Sequence, residues 1–138
     1  CLLPGTQIRM ADGTTKNIEY VAVGDVLYGT NGTSVIVKQL LPNRFNKYNI
    51  LNGRLRITYE HPVLVVRNGT KQLVQVKDLI IGDKMVRYNN TVEELRSNVE
   101  IFEETPTYNF VVNGDHMYVA EDILVHNTSA NERIYKKN

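Results

Sequence analysis

The segment Ile18-Glu-Tyr-Val21-Ala-Val23-Gly24-Asp25-Val-Leu27 aligns with Val76-Lys-Asp-Leu79-Ile-Ile81-Gly82-Asp83-Lys-Met85 at a constant offset of 58 residues. Six positions share their character, both Gly-Asp pairs among them. A turn of one type lies upstream of each copy, Asp12-Gly13-Thr14 and Asn68-Gly69-Thr70, here at an offset of 56. Asp-Gly and Asn-Gly are strong hairpin signals, because both central residues of a type I′ turn need positive φ. A duplicated hairpin-plus-turn unit predicts two like β halves that share one core. Such an arrangement is expected to bring the two chain ends together.

Residue usage agrees with β structure. Val, Ile and Thr number 17, 10 and 11 among 138 residues, whereas Ala appears four times. Stiff β-branched side chains suit pleated surfaces and crowd helices, so an all-β fold is expected. With 42% apolar residues the chain is long enough for one domain with a buried core. Its apolar runs are far shorter than the roughly 20 residues a membrane helix needs. A net charge of +1 removes the electrostatic case for nucleic-acid binding. One Cys excludes an internal disulfide. A chain numbered from Cys1 instead of Met is expected to begin at a processing boundary.

Strands are predicted near 6–10, 14–18, 26–29, 33–41, 47–51, 54–58, 63–67, 72–76, 84–88, 99–103, 107–112, 117–120 and 123–126, with a helical turn before each Gly-Asp pair, near 19–22 and 77–80. Residues 89–98 are polar and lack alternation, and read as a loop or short helix between the halves. The segment from Thr128 to Asn138 has neither periodicity nor apolar density, and is expected outside the core as a tail on a 1–127 domain.

Chemistry is available at four places: Cys1, Thr58-Tyr-Glu-His61-Pro62, His116, and His126-Asn127-Thr128. Taken singly, each has a plain reading: a small buried hydrophobe, a surface loop histidine, a turn histidine and a strand terminus. Pro62 forces His61 into extended backbone, placing its imidazole at a bend. Asn127 can attack its own carbonyl through its side-chain nitrogen and break the chain behind it, if a neighbouring imidazole polarises the carbonyl or protonates the leaving nitrogen. Cys1 can take an acyl group onto sulfur, and the Thr128 hydroxyl can accept it. Their order along the chain is the order such a reaction needs.

Cys1-Leu-Leu-Pro4-Gly5-Thr6 with Val23-Gly24-Asp25, Thr58-x-x-His61-Pro62, Tyr108-Asn-Phe-Val-Val with His116, and Leu124-Val125-His126-Asn127 resemble the successive splicing blocks of an intein. Within that superfamily, Thr107-Tyr-Asn-Phe-Val-Val and the run from His116 to Asn127 are more similar to bacterial intein-like domains, which often sit in secreted or toxin-type hosts. The resemblance implies the Hint fold, a flattened all-β horseshoe with pseudo-two-fold symmetry. It also implies autocatalytic splicing: an N-to-S shift at Cys1, transfer to Thr128, cyclisation of Asn127, then an O-to-N shift. Thr58 and His61 would destabilise and protonate the scissile amide, while His116 and His126 would assist cleavage after Asn127. Each precursor would turn over once, without metal or organic cofactor, as a monomer whose partners are its own flanking polypeptides, in the cytoplasm at the time of splicing. Many inteins carry Asp where this chain has Asn109, so cleavage at either junction would be more prominent here. The 54 residues between His61 and His116 leave no room for a homing endonuclease. Two alternatives are a Hedgehog-type autoprocessing domain, which does not need His-Asn, and a noncatalytic β module binding zinc through Cys1, His61, His116 and His126, whose spacings match no compact zinc motif.

Overall fold

The computed structural model describes residues 1–127, so Thr128 and the predicted tail lie outside the described residues. Sixteen strands are described: β1 (Gln7–Arg9), β2 (Thr15–Asn17), β3 (Val26–Tyr28), β4 (Ser34–Leu40), β5 (Asn43–Phe45), β6 (Tyr48–Leu51), β7 (Leu55–Ile57), β8 (Pro62–Arg67), β9 (Thr70–Gln75), β10 (Lys84–Val86), β11 (Val92–Glu94), β12 (Asn98–Ile101), β13 (Thr105–Thr107), β14 (Phe110–Val112), β15 (Met117–Ala120) and β16 (Ile123–His126). Short 3₁₀ turns at Ile18–Tyr20 and Val76–Asp78 stand where the helical turns were expected. Among the described residues no helix is long and apolar enough to cross a membrane.

The repeat is visible bond by bond. Gly24 N–H donates to the Val37 carbonyl and Val37 N–H to that of Asp25; 58 residues on, Gly82 donates to Leu95 and Leu95 to Asp83. Each Gly-Asp turn has its glycine at positive φ, +94° and +101°, where a side chain would be strained. Each Asp caps the backbone three residues earlier, Asp25 accepting from Ala22 N–H and Asp83 from Ile80 N–H. Each is held by a cation, Lys16 in one copy and Arg67 in the other.

Three expectations need correction. Residues 89–98 hold a strand: β11 pairs with β10 as β4 pairs with β3, Met85 opposite Glu93 matching Leu27 opposite Val35. Polar composition hid it because its inward position is Glu93, which Arg54 and Arg87 neutralise, followed by the buried Leu95. The two hairpin turns also differ. Asn68 and Gly69 both have positive φ, but in the first copy only Gly13 does, and Met10 and Thr14 close a longer loop in which the Asp12 carboxylate caps Thr14. The predicted strand 107–112 is interrupted at Tyr108 and Asn109, so that only Thr107 falls in β13 and Phe110–Val112 form β14, and β5, opposite β13, was not foreseen.

The eight-stranded main sheet runs β11-β10-β8-β16-β15-β1-β2, with β9 on the other side of β8. The hairpin β15–β16 therefore stands between the two copies, β15 against β1 and β16 against β8. Its residues are buried on both faces: Tyr118, Ala120, Ile123 and Val125 enter the main core, and Met117, Val119 and Leu124 a smaller cluster. Burial of each large aliphatic or aromatic side chain there stabilises by about 1.5–3 kcal/mol. His126 and Asn127 end this central hairpin, which is how they reach the site.

Candidate functional site

The first residues of the chain are clamped between two segments. Leu2 pairs with both Ile57 and Tyr108, giving its N–H to the Tyr108 carbonyl and taking the Tyr108 N–H. Cys1 is thereby held beside the turn that joins β7 to β8. Thr58 grips it from both sides: Thr58 N–H and Oγ1–H donate to the Cys1 carbonyl at 2.9 and 3.1 Å, and the Cys1 nitrogen donates to Thr58 Oγ1 at 2.8 Å. That nitrogen also lies 2.6 Å from His61 Nδ1. It is a terminal ammonium here; in a chain continuing upstream it would be an amide nitrogen. Cys1, Thr58 and His61 are all buried, so neither the chain start nor the Thr-x-x-His turn is a solvated surface. Burial, then the Cys1 charge and that of His126, hold His61 well below its usual 6.5, against the opposing pull of the His126 carbonyl.

The second cluster closes around Asn127. His116 sits in left-handed backbone at φ +64°, its carbonyl accepting from Asn127 N–H at 2.9 Å and its Nδ1 donating to the Val112 carbonyl at 2.7 Å. Its ring meets that of His126 edge-on at 5.8 Å. His126 Nδ1 lies 2.9 Å from the Asn127 carbonyl oxygen. A carbonyl only accepts, so this nitrogen carries the proton and polarises that carbonyl. Burial, ahead of the His116 charge, lowers the His126 pKa, while the hydrogen bond to Asn127 opposes that.

Asn109 lies just before β14, buried, its Oδ1 accepting from Phe110 N–H and from Tyr118 Oη, both at 2.9 Å. Tyr118 in turn packs edge-on against His61 at 6.3 Å between centroids. Asn109 is thus tied to the first cluster through Tyr118. Two residues in this corner escaped sequence reasoning. Tyr118 reads as an ordinary strand residue, and Glu60 is an unspecified position within Thr58-x-x-His61.

No protein family and no curated protein matches the sequence. Solved structures do. A bacterial intein-like domain from Clostridium thermocellum superposes with a TM-score of 0.77 at 23% identity, covering 91% of this chain and 97% of that one. The gp41-1 intein gives 0.76 at 22% identity over 91% and 97%, and a DnaB intein from Synechocystis 0.73 at 18% over 91% and 96%. The fold is the Hint fold of the inteins. Within it the duplicated unit supplies the two flanking hairpins and the central hairpin carries His126-Asn127 between them. Among the described residues no three of His, Cys, Asp and Glu converge on a point that could hold a metal ion.

Proposed function

We propose that this Hint domain excises itself from a precursor, joining or releasing the flanking polypeptides. The observation that carries the reading is that two backbone positions far apart in the chain each meet reactive groups: the Cys1 nitrogen meets Thr58 and His61, and the Asn127 carbonyl meets His126.

Thr58 and His61 loosen the junction amide as Cys1 Sγ attacks the carbonyl carbon before it. An S–C bond forms, the C–N bond breaks, and the thiol proton ends on nitrogen. The Thr128 hydroxyl then attacks the thioester carbon, displacing the Cys1 thiolate, which takes the hydroxyl proton. Asn127 Nδ2 attacks its own carbonyl carbon while His126 Nδ1–H steadies the developing oxyanion; the bond to residue 128 breaks, its nitrogen takes a proton with help from His116, and a succinimide remains. The freed amine displaces the ester oxygen and joins the flanks. Protons and electron pairs balance within the chain, so the reaction needs no cofactor.

Asn109 contributes an amide where many inteins place a carboxylate, which favours separate cleavage over transfer. The test places the chain between two foreign proteins under reducing conditions and weighs the products. A ligated pair, or two released flanks, is expected without added cofactor; a precursor intact after days overturns the reading.

A further inference from the structure

The reaction above moves a proton from the Cys1 sulfur to its nitrogen. His61 Nδ1 faces that nitrogen from one side, and Glu60 brings a carboxylate near it. Its Oε2 is 3.9 Å from the Cys1 nitrogen, and both carboxylate oxygens are shielded from solvent and make no hydrogen bond among the described residues. The 19% of its side-chain surface that remains exposed therefore belongs to the stem. The Glu60 charge also bears on Tyr118, which burial, and after it this carboxylate, push well above its ordinary range.

A sequestered carboxylate without hydrogen bonds is a cost to folding. When Cys1 is an amide nitrogen, Glu60 also loses the one cation within salt-bridge distance among the described residues. Such a group, 3.9 Å from the nitrogen of the residue that carries the thiol, is a candidate to relay a proton there.

We infer that Glu60 is the proton shuttle of the front junction, an inference that rests on the self-processing reading. The Cys1 thiol proton passes to a Glu60 oxygen; the sulfur electron pair forms the S–C bond; the C–N bond breaks with its pair on nitrogen; Glu60 returns the proton there. The carboxylate ends as it began, and no co-reactant is consumed. Its position in the turn between Thr58 and His61 puts it on the same short segment that grips the nitrogen.

The experiment uses the precursor with both foreign flanks and follows dithiothreitol-induced release of the front flank together with release of the rear flank. Glu60→Gln should slow front release about 30-fold or more, within the ~10²–10⁴-fold span of general acid–base catalysis, and leave rear release within about twofold. Glu60→Asp should recover part of the front rate, and Glu60→Gln should melt no lower than wild type, since the carboxylate makes no hydrogen bond to lose. A Glu60→Gln precursor that releases its front flank at the wild-type rate overturns the shuttle alone, as does one slowed equally at both junctions or one whose defect Glu60→Asp does not relieve. A wild-type precursor inert at both junctions overturns the self-processing reading and the shuttle with it.

Discussion

His126 offers its Nδ1 proton to one acceptor, the Asn127 carbonyl, while the Cys1 nitrogen is held by a different pair, Thr58 and His61. The two junctions should therefore fail independently. Cys1→Ala is expected to abolish release of the front flank, with or without thiol, and spare the rear; His126→Ala is expected to slow rear release about 10²-fold, the usual worth of one oxyanion donor, and spare the front. Gel analysis of the two precursors checks both, and thiol-induced front release that survives Cys1→Ala would falsify the thioester step. Asn109 allows a sharper test. Its Oδ1 already receives two donors, Phe110 N–H and the Tyr118 hydroxyl, so a carboxylate introduced there would be stabilised as an anion against the opposing effect of burial. Asn109→Asp should raise the ratio of ligated to cleaved product, and adding Tyr118→Phe should take back much of the gain. An unchanged ratio at every pH, in a folded protein, would reduce Asn109 to a strand residue.

At the level of elements, the strand β11 shows why composition misleads. Glu93 is buried at the position equivalent to Val35, and burial alone would raise its pKa; hydrogen bonds from Arg54 and Asn52 and the charges of Arg54 and Arg87 outweigh it and hold the carboxyl at about 2. The β10–β11 edge is thus pinned by an ion pair where the other copy uses an apolar contact. Glu93→Gln is expected to destabilise the domain by about 2 kcal/mol, less than the ~3–5 for a fully enclosed pair because the Arg54 side chain is 40% exposed. Urea titration measures it; a loss below about 0.5 kcal/mol, the scale of an exposed pair, would show that the edge does not depend on this charge. The central hairpin behaves in the opposite way, since Met117–Ala120 and Ile123–Val125 are apolar at every position and buried on both faces, and such runs announce themselves as strands.

For the whole molecule, the titrating groups set an acid limit with a definite sign. His61 and His126 both have folded pKa values below 6.5, so the unfolded chain binds more protons as pH falls through that value. Their stabilisation is complete above about pH 6.5 and is lost below it. Asp25, Asp83 and Glu93 are held below their ordinary values, and their contribution is lost in a second stage, below about pH 4.5 and downward toward 2 for Glu93. The urea midpoint of the excised domain should be flat near neutrality and fall in two steps, with His61→Gln reducing the first; a midpoint that rises as pH drops from 7 to 5 contradicts the burial of these rings. The duplicated Gly-Asp unit, the β-branched composition and the order of Cys1, Thr58, His61, His126 and Asn127 could all be read from the chain, because turn chemistry and side-chain branching act over a few residues. That the 58-residue repeat extends to Val37 and Leu95 was not legible, since the partners of those backbone bonds are distant in sequence. Nor were Tyr118 and Glu60, whose significance is their proximity to His61 and Cys1. Local propensity determines that a strand or turn forms, but which two side chains face each other depends on how sheets stack, and that was decided only when β15 and β16 took their place between the two halves.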